Sequence, residues 1–105
     1  MTGNRTVCFN ADHPALAGHY PGHPVVPAAL ILCEVMETMR GSGVKDVEFL
    51  GMPTVKFFSP LRPGEPLTVE LVPQGDTSMD FTCMVGIRMI ATGRLEYRIK
   101  DVNES

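Results

Sequence analysis

The sequence is poor in the features that mark several large classes of protein. It has no tryptophan, only 7% aromatic residues, and three widely spaced cysteines without a Cys-x-x-Cys pair. An odd, scattered set of cysteines argues against a disulfide framework and favours reduced thiols in a cytoplasmic protein. The formal net charge of −3 offers no basic stripe to neutralise phosphates, so nucleic acid is not expected as a partner.

Long apolar segments are also missing. Residues 24–33, the longest stretch free of charged and histidine side chains, are too few to span a bilayer. The opening letters MTGNRTVCFN lack the apolar region of a secretory signal, so we expect no membrane association. A chain of 105 residues suffices for one core, which predicts a single domain over residues 1–105.

One segment has helical character. The run PAALILCEVMETMR predicts a helix from about Pro27 to Arg40, ended by Gly41 in a left-handed cap. Its first two turns are apolar on nearly every side, so other structure should enclose it. We therefore expect Leu30, Ile31 and Val35 to be almost wholly buried.

The start of this helix lacks a capping side chain. Val26 stands before Pro27, where Ser, Thr or Asp would be favoured. The amides of Ala28, Ala29 and Leu30 are then free to donate. Such a helix end either lacks the stabilisation of a cap or serves as a binding site for a carbonyl or an anion.

The remaining chain has the two-residue period of strands. A short strand is expected at Thr6–Asn10, and a long one along DVEFLGMPTVKFFSPL with a bend at Gly51–Pro53. A third strand is expected along LTVELV. In the segment that follows, Gly86 is the best position for a turn between two further strands. In LTVELV the alternation places Leu67, Val69 and Leu71 on one face. The order strand, helix, strands predicts an α+β fold with one antiparallel sheet around one helix. Such a sheet has exposed edges, and pairing of edges in a dimer is their usual protection.

Two histidines lie directly before the apolar helix, in the turn GHYPGHP. Without further context His19 is an ordinary structural histidine of the turn, and His23 and His13 are interpreted as surface residues. Together with Cys33 the first two suggest a metal site, but the prolines between them oppose convergent geometry and no fourth ligand is evident. Neither a metal nor a cofactor is expected.

Longer motifs connect this turn to a family. GHYPGHPVVPAALIL resembles the GHFPGxPxxPGxLxxE signature of 3-hydroxyacyl-acyl-carrier-protein dehydratases, which have the hot-dog fold. VKFFSPLRPGEPLTVEL is similar to the family's VKFRxPVxPGDxLxxEV, and ATGRLEYRI resembles its closing strand. The likeness covers Thr6 to Ile99, and matching the family places the last strands near Met79–Val85 and Met89–Ile99.

The resemblance implies a hydro-lyase of fatty-acid or related lipid or polyketide synthesis. His19 takes the position of the base that removes the proton alpha to the thioester, and the Ala28 amide that of the donor to the thioester carbonyl. Cys33 falls where the family has its acid. The implied substrate-binding residues are Gly22, Val26, Ala28 and Ala29. The implied partners are an acyl thioester, an acyl-carrier protein and a second subunit of a dimer or a multiple of dimers.

The cysteine at the acid position keeps other interpretations open. A thiol is a poorer proton donor than a carboxyl group; Glu34 is rotated away from Cys33, while Glu37 lies one turn on along roughly the same face. One interpretation is a dehydratase, whether impaired or intact. Another is a catalytically incomplete subunit that binds acyl chains or supports an active partner. A hot-dog thioesterase is a third possibility, which the HYPGHP turn disfavours. Chain length, carrier, pathway and partner identity are not encoded in these motifs.

Overall fold

The protein is described by a computed structural model that covers residues 3–10, 25–42 and 47–100. The predicted candidates His13, His19, Gly22 and His23 lie outside these described residues. The described part holds one helix and five strands, in the order β1 (Gly3–Val7), α1 (Ala28–Arg40), β2 (Val47–Phe57), β3 (Leu67–Pro73), β4 (Ser78–Val85) and β5 (Arg88–Ile99).

The five strands form one antiparallel sheet in the order β1-β3-β4-β5-β2. The predicted α+β arrangement of one sheet and one helix is therefore confirmed. β1 and β2 are the two edges of the sheet within the described chain. Among the described residues, no helix combines the length and the apolar character needed to cross a membrane.

The core lies on the face of the sheet that α1 covers. Alternation in β3 buries Leu67, Val69 and Leu71 completely, as predicted, and leaves Glu70 exposed between them. The helix packs against β1 and β3, and it buries Ile31 and Val35. Burial of such side chains contributes roughly 1.5–3 kcal/mol each, so this face is the main source of the fold's stability.

Three details differ from the sequence-based expectations. Leu30 is only partly buried, because it lies about 100° around the helix from Ile31, at the margin of the buried stripe. Gly41 caps the helix as predicted, but its conformation is right-handed (φ −81°) and not left-handed. The Gly41 amide donates to the Glu37 carbonyl, and both the amide and the hydroxyl of Ser42 donate to the carbonyl of Met39.

The third difference is the first strand, which spans Gly3–Val7 and not Thr6–Asn10. Its pairing with β3 ends where Val7 meets Leu67, the first residue of β3. The chain continues without strand pairing, although the Gly64 amide donates to the carbonyl of Phe9 over 2.8 Å and Phe9 is buried as expected.

The bends and turns of the later strands follow the prediction. β2 departs from regular pairing on both sides of Gly51, which has a φ of +157°. β4 and β5 meet at Gly86, whose φ of +59° is accessible to glycine at little cost. Gly93 serves a different purpose, because a Cβ there would lie 2.3 Å from the carbonyl oxygen of Thr54 and 2.6 Å from the ring of Phe81.

Candidate functional site

Among the described residues, the amides of Ala28 and Ala29 in the first turn of α1 have no acceptor, as predicted, whereas the Leu30 amide, also predicted to be free, is hydrogen-bonded. Pro27 precedes the helix with φ −58° and ψ 143°, and no side chain caps it. The Pro27 carbonyl accepts from the amides of Leu30 and Ile31 over 3.0 and 3.5 Å. The amides of Ala28 and Ala29 precede the first residue that has an intrahelical acceptor, so they are available to a bound oxygen atom.

A groove of about 580 Å³ opens beside this turn. Two segments form its walls: the start of the helix and the chain that leaves β2. Its lining residues are Val25, Val26, Pro27, Ala28, Ile31, Phe57, Phe58, Ser59, Pro60 and Leu61. Most of these side chains are apolar, so the groove suits a hydrocarbon chain.

Backbone hydrogen bonds fix the two walls to each other. The Val26 amide donates to the Leu61 carbonyl over 2.8 Å, and the Phe58 amide donates to the Ile90 carbonyl over 2.9 Å. Val26 is 3% exposed, so it holds the wall in place and offers little surface to a ligand. The predicted substrate-binding residues Val26 and Ala28 thus lie together in the lining, and Ala29 lies outside it.

Cys33 lies on the exposed face of α1 and does not line the groove within this chain. It shares that face with Ala29, one turn earlier, and Glu37, one turn later, both of which are also exposed. Glu37 forms an ion pair with Arg40, which lies further along the helix and away from Cys33.

Glu34 faces away from the groove, as its position on the helix predicted. Its carboxylate lies 3.3 Å from the guanidinium of Arg5 on β1, and its side chain is only 17% exposed. This pairing directs the nearest carboxylate in the sequence toward the sheet edge, where it has no contact with Cys33 or the groove.

Sequence reasoning did not assign to the site the wall at the end of β2, which consists of Phe57, Phe58, Ser59, Pro60 and Leu61. They belong to the motif VKFFSPL, which indicated strand structure and the family likeness but no site residue. Phe57 and Phe58 remain 43% and 53% exposed, an unusual fraction for two adjacent phenylalanines. Exposed aromatic residues at a groove wall are typical of a surface completed by a ligand or by another subunit.

The arrangement combines an apolar groove with a free backbone donor. The apolar walls suit a hydrocarbon chain, and the Ala28 amide at the start of the groove can donate to an oxygen atom. Electrostatic assistance of this kind is strongest in a site that excludes water. Within the described ranges no three His, Cys, Asp or Glu side chains converge to hold a metal ion.

Comparison with known proteins identifies relatives that are named as dehydratases. Residues 3–94 match the family model described as ApeI-like: ApeI dehydratase. A 3-hydroxyacyl-[acyl-carrier-protein] dehydratase FabZ from Aliarcobacter butzleri is 37% identical over 75 residues, which cover 60% of this chain and 51% of that protein. The FabZ protein of Chlamydia trachomatis serovar L2 is 31% identical over 100 residues, covering 82% and 65%. The chain spans about half the length of the first of these relatives.

Solved structures share the architecture. The dehydratase heterocomplex ApeI:P from Xenorhabdus doucetiae superposes with a TM-score of 0.80 at 18% identity, covering 91% of this chain and 86% of that one. The 1,4-dihydroxy-2-naphthoyl-CoA thioesterase Slr0204 from Synechocystis superposes with a TM-score of 0.70 at 15% identity, covering 92% and 80%. These likenesses show a hot-dog fold, which dehydratases and thioesterases share. The match of residues 3–94 to the family model establishes that the chain belongs to the ApeI-like dehydratase family.

Proposed function

We propose that this chain is a subunit of a dehydratase that acts on 3-hydroxyacyl thioesters held by a carrier protein. One observation carries the proposal: the apolar groove begins at the uncapped first turn of α1, with Ala28 in its lining. The FabZ relatives are named for this reaction, and the family match supports the same chemistry.

The reaction needs a base, a carbonyl donor and an acid. We assign His19 as the base that takes the proton from the carbon alpha to the thioester. The Ala28 amide stabilises the negative charge that develops on the carbonyl oxygen. The carbon–oxygen bond at C3 then breaks, the double bond forms between C2 and C3, and the departing hydroxyl needs a proton to leave as water.

Cys33 is the residue that the family position assigns to that last step. Since it lies on the exposed face of α1 and away from the groove lining of its own chain, we place it opposite the groove of a second subunit. A thiol donates its proton less readily than a carboxyl group near neutral pH, so dehydration by this chain alone is expected to be slow.

The edge strand β2 is the proposed contact between subunits. Its exposed apolar residues are Phe49, Leu50 and Phe57, and Phe58 follows directly. A long apolar edge strand is a template for pairing with another chain. We therefore propose a dimer joined along β2, in which each site combines residues from both subunits.

A second candidate function is supported by the cysteine itself. A chain with a base and a carbonyl donor but a weak acid is suited to pair with a related chain that supplies the acid. The heterocomplex among its structural neighbours is a dehydratase of two different chains by its name. Free Cys8, Cys33 and Cys83 fit a cytoplasmic location for either function.

The test follows the product of the reaction. The purified chain is mixed with 3-hydroxyacyl-carrier protein of several chain lengths, and enoyl thioester absorbance and free thiol are measured together. A dehydratase produces enoyl thioester without free thiol, whereas a thioesterase produces free thiol. No enoyl product from the chain alone, with product after addition of a second dehydratase-like subunit, identifies the supporting role.

A further inference from the structure

Cations gather at one rim of the apolar groove. Within the described ranges Arg62 is the one arginine whose guanidinium forms no ion pair; the others, Arg5, Arg40, Arg88, Arg94 and Arg98, each contact a carboxylate. Lys56 also has no carboxylate partner among these residues, and its ammonium lies 5.5 Å from the centre of the Phe58 ring. Lys56 and Arg62 flank residues 57–61, which form one wall of the groove.

Arg62 and Arg88 line a second depression of about 290 Å³ together with Ser59 and Pro60. Ser59 and Pro60 also line the apolar groove, so the two cavities adjoin along this segment. One cavity is apolar and the other is flanked by two guanidinium groups. Together they match a ligand with a hydrocarbon end and an anionic end.

Glu65 connects the two arginines that line the polar depression. One of its carboxylate oxygens accepts both from Arg88 Nη2 and from the Arg62 amide, each over 2.8 Å. Arg88 additionally donates to the Pro60 carbonyl over 3.4 Å. The hydrogen bond from Arg88 and that from the Arg62 amide keep the pKa of Glu65 below its ordinary value, so the carboxylate is ionised at neutral pH. The Glu65 carboxylate neutralises the charge of Arg88, so the charge of Arg62 remains available to an anionic ligand.

We propose that Ser59, Arg62 and Arg88 form a subsite for the phosphate of the thioester's carrier arm, next to the groove that receives the acyl part. The inference rests on the proposed function, because it concerns how that substrate is recognised. A phosphate offers oxygens to a guanidinium in paired geometry, and the Ser59 hydroxyl supplies a further donor. The same phosphate chemistry occurs in phosphopantetheine on a carrier protein and in coenzyme A.

The test compares two probes that differ only in the phosphate. 3-Hydroxyhexanoyl-pantetheine and its 4′-phosphate are titrated into the wild-type protein by calorimetry. We expect the phosphorylated probe to bind about tenfold more tightly, which is the contribution of a hydrogen bond to a charged group. Arg62→Gln should remove this difference and leave the affinity for the unphosphorylated probe unchanged, while Arg62→Lys should keep part of it.

Arg94→Gln is the matched control, since Arg94 is an exposed, ion-paired arginine on a different surface. It should leave the affinities for both probes unchanged. Equal affinity for the two probes overturns the subsite, as does a phosphate preference that survives in the Arg62→Gln/Arg88→Gln double variant. Enoyl formation from the unphosphorylated probe tests the proposed dehydratase function separately.

The two sources of the phosphate are compared with the same variant. Arg62→Gln should weaken binding of 3-hydroxyhexanoyl-coenzyme A and of the 3-hydroxyhexanoyl-carrier protein alike. A loss confined to the carrier protein, with phosphopantetheine binding unaffected, shows that Arg62 contacts the protein surface and overturns the phosphate assignment.

Discussion

Cys33 is the residue that we assign to the position of the acid in the proposed reaction. Its place on the helix was predicted from the sequence, and the structure leaves its thiol on the exposed face of α1. The two adjacent carboxylates do not replace it, because Glu34 pairs with Arg5 and Glu37 with Arg40. The proposed activity therefore depends on whether Cys33 can donate a proton.

Cys33→Glu is expected to accelerate dehydration. A positioned general acid raises the reaction rate by a factor on the order of 10²–10⁴, because it protonates the hydroxyl as it leaves. The rate of enoyl thioester formation measures the effect. Cys33→Gln is the matched control, since it has the same size without an acidic proton, and an equal gain in both variants contradicts the assigned role.

Gly93→Ala is expected to destabilise the fold by about 1–3 kcal/mol, the usual effect of overpacking. The added methyl group has no room between the Thr54 carbonyl and the Phe81 ring. The midpoint of urea unfolding measures the change. Gly41→Ala is the control, because its nearest neighbour would be the Glu37 carbonyl oxygen at 3.5 Å and its φ of −81° suits alanine.

The stability of the fold should fall at alkaline pH through Cys83. Burial raises the pKa of this thiol from 9.0 to about 12. Since the folded pKa lies above the unfolded one, the contribution is complete below about pH 9 and is lost as the pH rises toward 12. Urea unfolding from pH 8 to 11 should show a steeper decline for the wild type than for Cys83→Ala; parallel declines contradict this.

Secondary-structure elements were predicted well where side-chain periodicity decides them. The alternation of Leu67, Val69 and Leu71 sets β3, and the apolar run after Pro27 sets α1. Their ends were harder to predict: Gly41 caps the helix as expected, but in a right-handed conformation that lets Ser42 add two hydrogen bonds to the Met39 carbonyl. The end of β1 depends on where β3 begins, which is a contact between distant parts of the chain.

The edge strand β2 should carry the subunit interface, and Leu50→Lys is expected to convert the dimer to a monomer at micromolar concentration. Leu50 is 56% exposed on this strand, and a lysine there places a charge against the partner's edge. Light scattering measures the mass. Val72→Lys, on the inner strand β3 where Val72 is 41% exposed, should remain dimeric. A wild-type monomer contradicts the interface.

At the scale of the whole molecule, the groove was the feature that sequence reasoning could not supply. It forms where the start of α1 meets residues 57–61, and a hydrogen bond from Val26 to Leu61 joins these distant segments. The motif around Ala28 indicated a donor, but no pattern along the chain shows which aromatic residues face it. The role of Cys33 is less visible still, because we assign it to a site shared with a second subunit.

The central claim is that His19 performs proton abstraction from a 3-hydroxyacyl thioester bound in this groove. The most direct measurement is the rate of enoyl thioester formation by the wild type, His19→Ala and His23→Ala under identical conditions. We predict slow formation by the wild type, the same rate for His23→Ala, and none for His19→Ala. A product rate that survives in His19→Ala, or that is lost equally in both variants, contradicts the account.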